Sequence, residues 1–208
     1  MRIIDAHLHL FDPRQYDGCL STEKLAELFG RLGIEAGIVM GNQPLTPEAY
    51  DFPEPFRYCV GIGDFQRTLE PDEDTLDALE EHLSRPRCAG IKIYTGYAPV
   101  WPSDGRLRPY YELAQQYGKP VAFHMGMTAG SMGALKYSNP LALDEAAAEF
   151  PGVQFVMCHF GNPFLQEAAA VMEKNHNVAA DLSGLLDGAT DLDRFFRRQG
   201  GYVQPLRP

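Results

Sequence analysis

Short apolar runs alternate with helical patterns along almost the whole chain, and this alternation constrains the fold more than any other feature. Seven runs have the length of strands, at residues 3–10, 34–40, 56–62, 89–94, 120–124, 153–159 and 178–181. Helical patterns follow at residues 23–32, 72–83, 107–117, 141–150, 164–174 and 191–198. Between the second and third runs, four prolines exclude a long helix. Almost wholly apolar strands that alternate with helices indicate a parallel sheet covered on both faces.

Two architectures share this pattern, the doubly wound open sheet and the closed barrel. A doubly wound nucleotide-binding domain would carry a glycine-rich loop after its first strand, whereas here that strand is followed by Phe11-Asp12-Pro13-Arg14. Polar residues instead end several strands, which is where barrels build their active sites. We therefore predict an α/β fold of the TIM-type (β/α) barrel class, with residues 1–208 forming one domain of seven βα units. A barrel normally has eight strands and about 250 residues, so we expect this one to lack, or to be truncated before, the eighth strand.

The charge balance excludes two classes of partner. The sequence has 28 acidic and 18 basic residues, a net charge of −10, which disfavours nucleic acid and anionic membrane surfaces. No apolar run is long enough to cross a bilayer, and the first residues have no secretory pattern, so we expect a cytoplasmic protein. The four cysteines, Cys19, Cys59, Cys88 and Cys158, form no metal-binding spacing and are expected to be reduced thiols, most of them buried.

Four of the six histidines end apolar runs, and they are the main functional signal. His7 and His9 are two residues apart on one strand and therefore point to the same face. His124 and His159 end two further strands, and a closed barrel would bring all four to one mouth. The first pair alone could be satisfied by backbone partners, but three strands that each end in histidine favour a metal or catalytic site, because imidazole is the commonest metal ligand. We expect His82 and His176 to lie on the surface.

Three segments carry a resemblance to a known family. They are Asp5-Ala6-His7-Leu8-His9, Phe123-His124-Met125-Gly126 and Cys158-His159-Phe160-Gly161-Asn162-Pro163. Together with residues 136–141 and 180–184, they resemble the amidohydrolase superfamily. More narrowly, they are similar to the amidohydrolase-related (amidohydrolase 2) branch of metal-dependent barrel hydrolases, which also holds decarboxylases of the aminocarboxymuconate-semialdehyde type.

The resemblance implies a divalent cation, Zn²⁺ or a similar metal, bound as one or two ions. It assigns His7, His9 and His124 as ligands, and His159 as either a further ligand or the residue that activates water or polarises the substrate. The family also uses an aspartate at the end of strand eight, which has no counterpart here. Asp181 lies on strand seven, and we expect it to support the ligands and the chemistry without replacing that aspartate.

Lys92 ends the fourth strand and completes the candidate catalytic set of His159, Lys92 and Asp181. Three roles are open for it: a carboxylated lysine that bridges two metals, as in some superfamily members, a cation that binds a substrate carboxylate or a supporting acid, or a structural ion pair. We expect Tyr94, Tyr97 and Trp101 to line the entrance.

These expectations lead to a functional hypothesis. We expect a metal-dependent hydrolase that attacks an amide, ester or lactone carbonyl of a small substrate, possibly one that carries a carboxylate. Two alternatives stay open: a metal-dependent non-oxidative decarboxylase on the same scaffold, and a truncated, non-catalytic remnant that binds metal or has a structural role. Many barrels of this kind pair, so a homodimer is also possible.

Overall fold

The structure is a computed structural model that describes residues 2–10, 20–62, 69, 71–128 and 133–185. The chain divides into two compact units, Met1–Tyr94 with Arg106–Ala122 and Thr95–Gly105 with Phe123–Pro208. The described residues contain seven strands, the number predicted from the apolar runs. The predicted helix at residues 191–198, and any eighth strand after it, lie outside the described residues.

The first unit holds four parallel strands paired in chain order. They are β1 (Ile3–Leu8), β2 (Ile34–Met40), β3 (Phe56–Ile62) and β4 (Cys88–Ile93), and the helices are α1 (Thr22–Leu32), α2 (Glu73–Ser84) and α3 (Arg108–Gln116). Only a short 3₁₀ helix, Pro47–Tyr50, lies between β2 and β3, in agreement with the prolines there. Parallel pairing places the carboxyl ends of these strands at one edge of the sheet.

Local capping and burial explain where the elements of this unit lie. The Ser21 hydroxyl accepts from Lys24 N and begins α1, which ends at Gly33 with a φ of 71°. Asp72 caps α2 by accepting from Thr75 N at 2.8 Å. The core consists of fully buried apolar side chains from the sheet and from α2, among them Val39, Phe56, Val60, Leu79 and Ile91.

The second unit contains a shorter parallel pair, β6 (Phe155–Met157) and β7 (Val178–Ala180), with Phe155 opposite Val178. Its helices are α4 (Leu143–Glu149) and α5 (Leu165–Lys174), and its short 3₁₀ helices include Leu135–Ser138 and Cys158–Gly161. Strand β5 (Val121–Phe123) contains one of the three points where the chain passes between the units. No helix in the described parts of the chain has the length and apolar character to cross a bilayer.

The prediction that His82 lies on the surface is wrong. His82 is 1% exposed and packs between the rings of Tyr50 and Tyr58, at centroid distances of 4.8 and 5.6 Å. Its Nδ1 lies 3.0 Å from the Tyr58 hydroxyl. Position 82 shares the inner face of α2 with Leu79, one turn earlier. The acidic residues next to His82 in the sequence suggested an exposed helix face, which is why its burial was not predicted.

His176 is exposed, as predicted. Cys59, Cys88 and Cys158 are buried reduced thiols, as predicted, while Cys19 lies outside the described residues.

Buried His82 should make stability depend on pH. Burial lowers the pKa of His82, and the nearby Arg85 guanidinium lowers it further. The unfolded chain therefore takes up a proton more readily at this residue, so we expect the free energy of unfolding to fall as the pH drops below about 6.5, the ordinary histidine pKa. Urea unfolding at pH 7.5 and 5.5 measures the effect, which should be smaller in His82→Gln. An unchanged dependence in His82→Gln would contradict the assignment.

Candidate functional site

The first pair of predicted ligands lies at the carboxyl end of β1. The Nε2 atoms of His7 and His9 are 3.3 Å apart, and their rings meet edge to face with centroids 5.2 Å apart. His7 is half-buried and His9 is exposed. Backbone N of His7 donates to Asp5 Oδ1 at 3.1 Å, which fixes the strand end. The alternation of side chains along a strand places the two imidazoles on one face.

A second pair of histidines lies in the other unit, at the ends of β5 and β6. Nε2 of His159 lies 3.2 Å from Nδ1 of His124, and the ring centroids are 4.9 Å apart. His124 is buried, while His159 is half-buried. The structure therefore brings together two residues that are 35 positions apart in the sequence.

Hydrogen bonds at the opposite ring nitrogens assign the tautomers of this second pair. His124 Nε2 lies 3.1 Å from the Met127 carbonyl oxygen, and His159 Nδ1 lies 3.1 Å from the Ser183 carbonyl oxygen. A carbonyl only accepts, so these two nitrogens carry the hydrogens. The nitrogens that face each other, His124 Nδ1 and His159 Nε2, then present lone pairs to one another when both rings are neutral. Two lone pairs at this distance repel unless a cation or a shared proton lies between them.

Both histidine pairs fit a divalent cation. Imidazole ligands commonly donate their second ring N–H to a carbonyl, as His124 and His159 do. In a tetrahedral zinc site, Zn–N bonds of about 2.0–2.1 Å place neighbouring ligand nitrogens about 3.3 Å apart. The separations here, 3.3 Å in the His7–His9 pair and 3.2 Å in the His124–His159 pair, agree with that spacing.

The Asp181 carboxylate accepts hydrogen bonds from the turn that contains His159. Its Oδ1 accepts from His159 N at 2.9 Å, from Ser183 N at 3.1 Å and from Ser183 Oγ at 2.5 Å. His159 and Phe160 have φ values of 61° and 47°, a left-handed conformation that side chains with Cβ atoms disfavour. Phe160 N also donates to the Asp181 carbonyl oxygen at 2.9 Å. Asp181 thus stabilises a strained backbone and orients the imidazole through Ser183.

The loops after β5 and β6 pack closely around His124. Gly126 has a φ of 87°, and a Cβ at this position would lie 2.1 Å from the Asn162 carbonyl oxygen. Met127 N donates to that same oxygen at 2.7 Å. The Thr95 hydroxyl donates to the His124 carbonyl oxygen at 2.5 Å. The roles of Thr95 and Ser183 were not predicted from the sequence, although polar residues just after strands β4 and β7 are the signal that could have identified them.

Lys92 and the predicted entrance residues are distributed over both units. Lys92 is fully buried in β4, and its Nζ lies 5.1 Å from the Tyr94 ring centroid. Tyr94 Oη donates to the Met40 carbonyl oxygen at 3.0 Å. In the second unit, the Tyr97 ring lies 4.8 Å from the His124 ring, and Trp101 is 42% exposed.

A cleft of about 380 Å³ in the first unit lies away from its histidine pair. Its lining includes Tyr58, near the amino end of β3, and Arg85 and Arg87, which precede β4. His7 and His9 lie at the carboxyl end of β1, the opposite end of these parallel strands. The cleft is therefore not part of the candidate site.

Known proteins resemble this chain in sequence and in fold. A family model described as amidohydrolase matches residues 57–205, more than half of the chain. Among solved structures, the chain is similar to an uncharacterised TIM-barrel protein from Bordetella bronchiseptica, with 21% identity, a TM-score of 0.71, and 95% of this chain and 81% of that chain covered. This likeness confirms the predicted barrel class. None of the curated proteins matches the chain significantly.

Two further solved structures share the fold. One is described as a probable 2-pyrone-4,6-dicarboxylic acid hydrolase from Acinetobacter baumannii, with citric acid bound. It is 14% identical, with a TM-score of 0.60 and coverage of 96% of this chain and 80% of that chain. The other is a dihydroorotase from Campylobacter jejuni, 20% identical, with a TM-score of 0.56, covering 98% of this chain and 58% of that one. At these identities the likeness shows the fold alone.

Proposed function

Because this chain belongs to the amidohydrolase family, we propose that it is a metal-dependent hydrolase that acts on an amide, ester or lactone carbonyl of a small substrate. The observation that carries the proposal is the pair of lone-pair nitrogens, His124 Nδ1 and His159 Nε2, held 3.2 Å apart. Neutral imidazoles in this arrangement suit a divalent cation, because imidazole nitrogen is the commonest metal ligand in proteins and the separation matches that of two ligands on one zinc ion.

We assign the metal to His7, His9, His124 and His159. The support for joining the two pairs is the barrel class, in which the carboxyl ends of parallel strands form one active-site face. Four nitrogen donors favour Zn²⁺ over Mg²⁺ or Ca²⁺, which prefer oxygen ligands. When bound, the cation supplies a nucleophile at neutral pH and polarises a carbonyl oxygen.

Residues around the proposed metal orient the His159 imidazole and supply a positive charge for the substrate. His159 donates Nδ1–H to Ser183, so its Nε2 keeps the lone pair directed at the site. Asp181 fixes Ser183 and the His159 backbone, and we assign it a positioning role in the reaction. Lys92, at the end of β4, is assigned to an anionic group of the substrate. In the reaction, a water oxygen adds to the carbonyl carbon, the C–O or C–N bond breaks, and the leaving group takes up the proton that water loses.

The names of similar proteins guide the choice of substrate. The protein from Acinetobacter baumannii is described as a hydrolase of 2-pyrone-4,6-dicarboxylic acid. A 2-pyrone is a cyclic ester, and with its carboxylates it combines the reacting group and the anionic group that the proposal needs. It is therefore the first compound to test, followed by simpler lactones and cyclic amides.

Metal analysis and a substrate screen test the proposal together. We expect protein purified without chelators to contain zinc, to hydrolyse a lactone or amide, and to lose this activity with a chelator and regain it with Zn²⁺. The screen should include aromatic and enol carboxylates with detection of CO₂. Release of CO₂ without hydrolysis would show that the protein is a decarboxylase and not a hydrolase. A protein that neither retains metal nor turns over any compound would overturn the proposal.

A further inference from the structure

The cleft of about 380 Å³ in the first unit combines charges of both signs with apolar rings. Glu48 lies in the 3₁₀ helix between β2 and β3, and Asp51 follows that helix. Arg85 and Arg87 belong to the segment that precedes β4. Tyrosine and proline side chains form the rest of the lining. Because it adjoins the amino ends of β3 and β4, we call it the amino-end cleft.

The protein compensates the charge of Arg87 only in part. Its Nη2 donates to the carbonyl oxygens of Pro53 and Phe56 at 2.9 and 2.7 Å, and these acceptors carry no net charge. The Glu54 carboxylate lies 4.0 Å from Arg87 Nε and is bound more closely by Arg57, at 2.9 Å. Arg87 is 32% exposed, and its Nη1 donates to no described residue. This guanidinium can therefore bind a further anion.

Arg85 adds a second guanidinium to the same segment of the lining. Its Nη2 donates to Glu81 at 2.7 Å, and its Nη1 donates to the Pro47 carbonyl oxygen at 3.3 Å. The second of these bonds joins the segment before β4 to the 3₁₀ helix that begins at Pro47. The position of Arg85 is thus fixed on both sides of the amino-end cleft.

The two carboxylates of the lining have no protein partner. Glu48 and Asp51 are exposed, and neither side chain forms a hydrogen bond or an ion pair with any residue that the structure describes. They share the cleft with the two arginines without pairing with them. Opposite charges that line one cavity and do not touch suit a ligand that carries both signs and reaches both.

A preformed apolar surface accompanies these charges. The Tyr50 and Tyr58 rings have centroids 4.8 Å apart and are 3% and 2% exposed. Both pack against the buried His82 ring, which holds them in place. Pro47 and Pro86 lie beside them in the lining. The volume is at the small end of the range of ligand pockets, so it suits a molecule of few atoms.

We propose that the amino-end cleft is a second ligand site and that it binds a free α-amino acid with an apolar side chain. The carboxylate of the ligand accepts charge-assisted hydrogen bonds from the two arginines. Its ammonium group pairs with the two acidic residues, and its side chain packs against the tyrosine and proline rings. The cleft contains none of the proposed metal ligands, so the inference is independent of the proposed function.

Three compounds with one phenyl ring separate the charges that the cleft recognises. L-Phenylalanine carries a carboxylate and an ammonium group, 3-phenylpropionate only the carboxylate, and 2-phenylethylamine only the ammonium group. In calorimetry on the full chain at neutral pH, we expect L-phenylalanine to bind about tenfold more tightly than either of the others, the ratio that one modest interaction produces. Equal affinities for L-phenylalanine and 3-phenylpropionate, or no binding of L-phenylalanine, would overturn the proposal.

Charge variants locate the binding. Glu48→Gln should weaken L-phenylalanine about fivefold, as expected for an exposed ion pair, and should not weaken 3-phenylpropionate. Arg87→Lys keeps the charge but removes the planar fork, so it should weaken both carboxylates in protein that circular dichroism shows to be folded. Glu27→Gln removes an exposed carboxylate on α1 and should change neither. An equal loss of L-phenylalanine affinity in Glu27→Gln and Glu48→Gln would refute the assignment.

Amino acids also bind metal ions through their amine and carboxylate groups, so the proposed metal site must be tested as a rival. Binding of L-phenylalanine should persist in chelator-treated protein and in His124→Ala, because neither change alters the amino-end cleft. Loss of binding in both would place the ligand at the metal and overturn this proposal while the proposed function stands. Persistent binding by a protein that never retains metal would support the cleft and refute the metal-dependent hydrolase.

Discussion

Replacing His124 by alanine is expected to remove the proposed metal and to lower kcat/KM by more than about 100-fold, because changing even a hydrogen-bond partner of a metal ligand costs about 10- to 100-fold. The substitution removes Nδ1, which faces His159 Nε2 at 3.2 Å. It also removes the ring that Nε2 anchors to the Met127 carbonyl oxygen. Metal content by mass spectrometry and steady-state kinetics on the best substrate of the screen measure the effect.

His176→Ala is the matched control for this prediction. His176 is exposed between α5 and β7, so its loss should leave metal content and kcat/KM at wild-type values. Circular dichroism should show that His124→Ala is folded. Full metal occupancy and normal turnover in folded His124→Ala would contradict the assignment of the site.

The second large effect is expected for Gly126→Ala. The new methyl group would lie 2.1 Å from the Asn162 carbonyl oxygen, in a backbone with a φ of 87°. Backbone atoms cannot move aside as a flexible side chain can, so the loops after β5 and β6 must separate. We expect a loss of about 3 kcal/mol in the free energy of unfolding, combining the left-handed backbone cost with the steric overlap. Urea unfolding measures this loss, and metal content should fall with it because the Met127 carbonyl that orients His124 is displaced.

Gly105→Ala provides the comparison for the same substitution without steric overlap. Gly105 belongs to the second unit, and a Cβ there has no heavy atom within 4 Å. Its effect should stay within about 0.5 kcal/mol, as for most surface substitutions. If the two alanine variants unfold at the same urea concentration, the close packing at Gly126 has no energetic weight and the prediction is wrong.

The strand and helix pattern was predictable because it depends on local signals. Periodicity and caps are properties of neighbouring residues, so the predicted helix at residues 23–32 corresponds to Thr22–Leu32 and the predicted strand at 34–40 to Ile34–Met40. The candidate ligands could be selected for a similar reason. A histidine at the end of an apolar run can be identified from that run alone. This criterion selects His7, His9, His124 and His159.

The supporting contacts of the site could not be predicted in this way, because they depend on tertiary structure. The left-handed conformation of His159 and Phe160 opposes their local preference and is stabilised by Asp181, more than twenty positions later, which accepts from the turn. The burial of His82 depends on Tyr50 and Tyr58, which lie on other elements. The two glutamates that precede His82, at positions 80 and 81, do not indicate that it packs against those tyrosines.

The hydrogen bonds that join the segments around Gly96, Gly126 and Ser138 have a consequence for how this protein can change over time. Ala134 N donates to the Gly96 carbonyl oxygen at 2.8 Å, Gly126 N to the Ser138 carbonyl oxygen at 2.6 Å, and the Ser138 hydroxyl to the Gly126 carbonyl oxygen at 2.7 Å. Main-chain groups form most of these links, so the links can persist when exposed side chains of the segments change, provided that Gly96 and Gly126 are kept. Exposed positions such as Trp101 and Met127 can therefore be exchanged while the imidazole of His124 keeps its place. A scaffold of this kind allows exposed side chains to be exchanged with little risk to the proposed metal site.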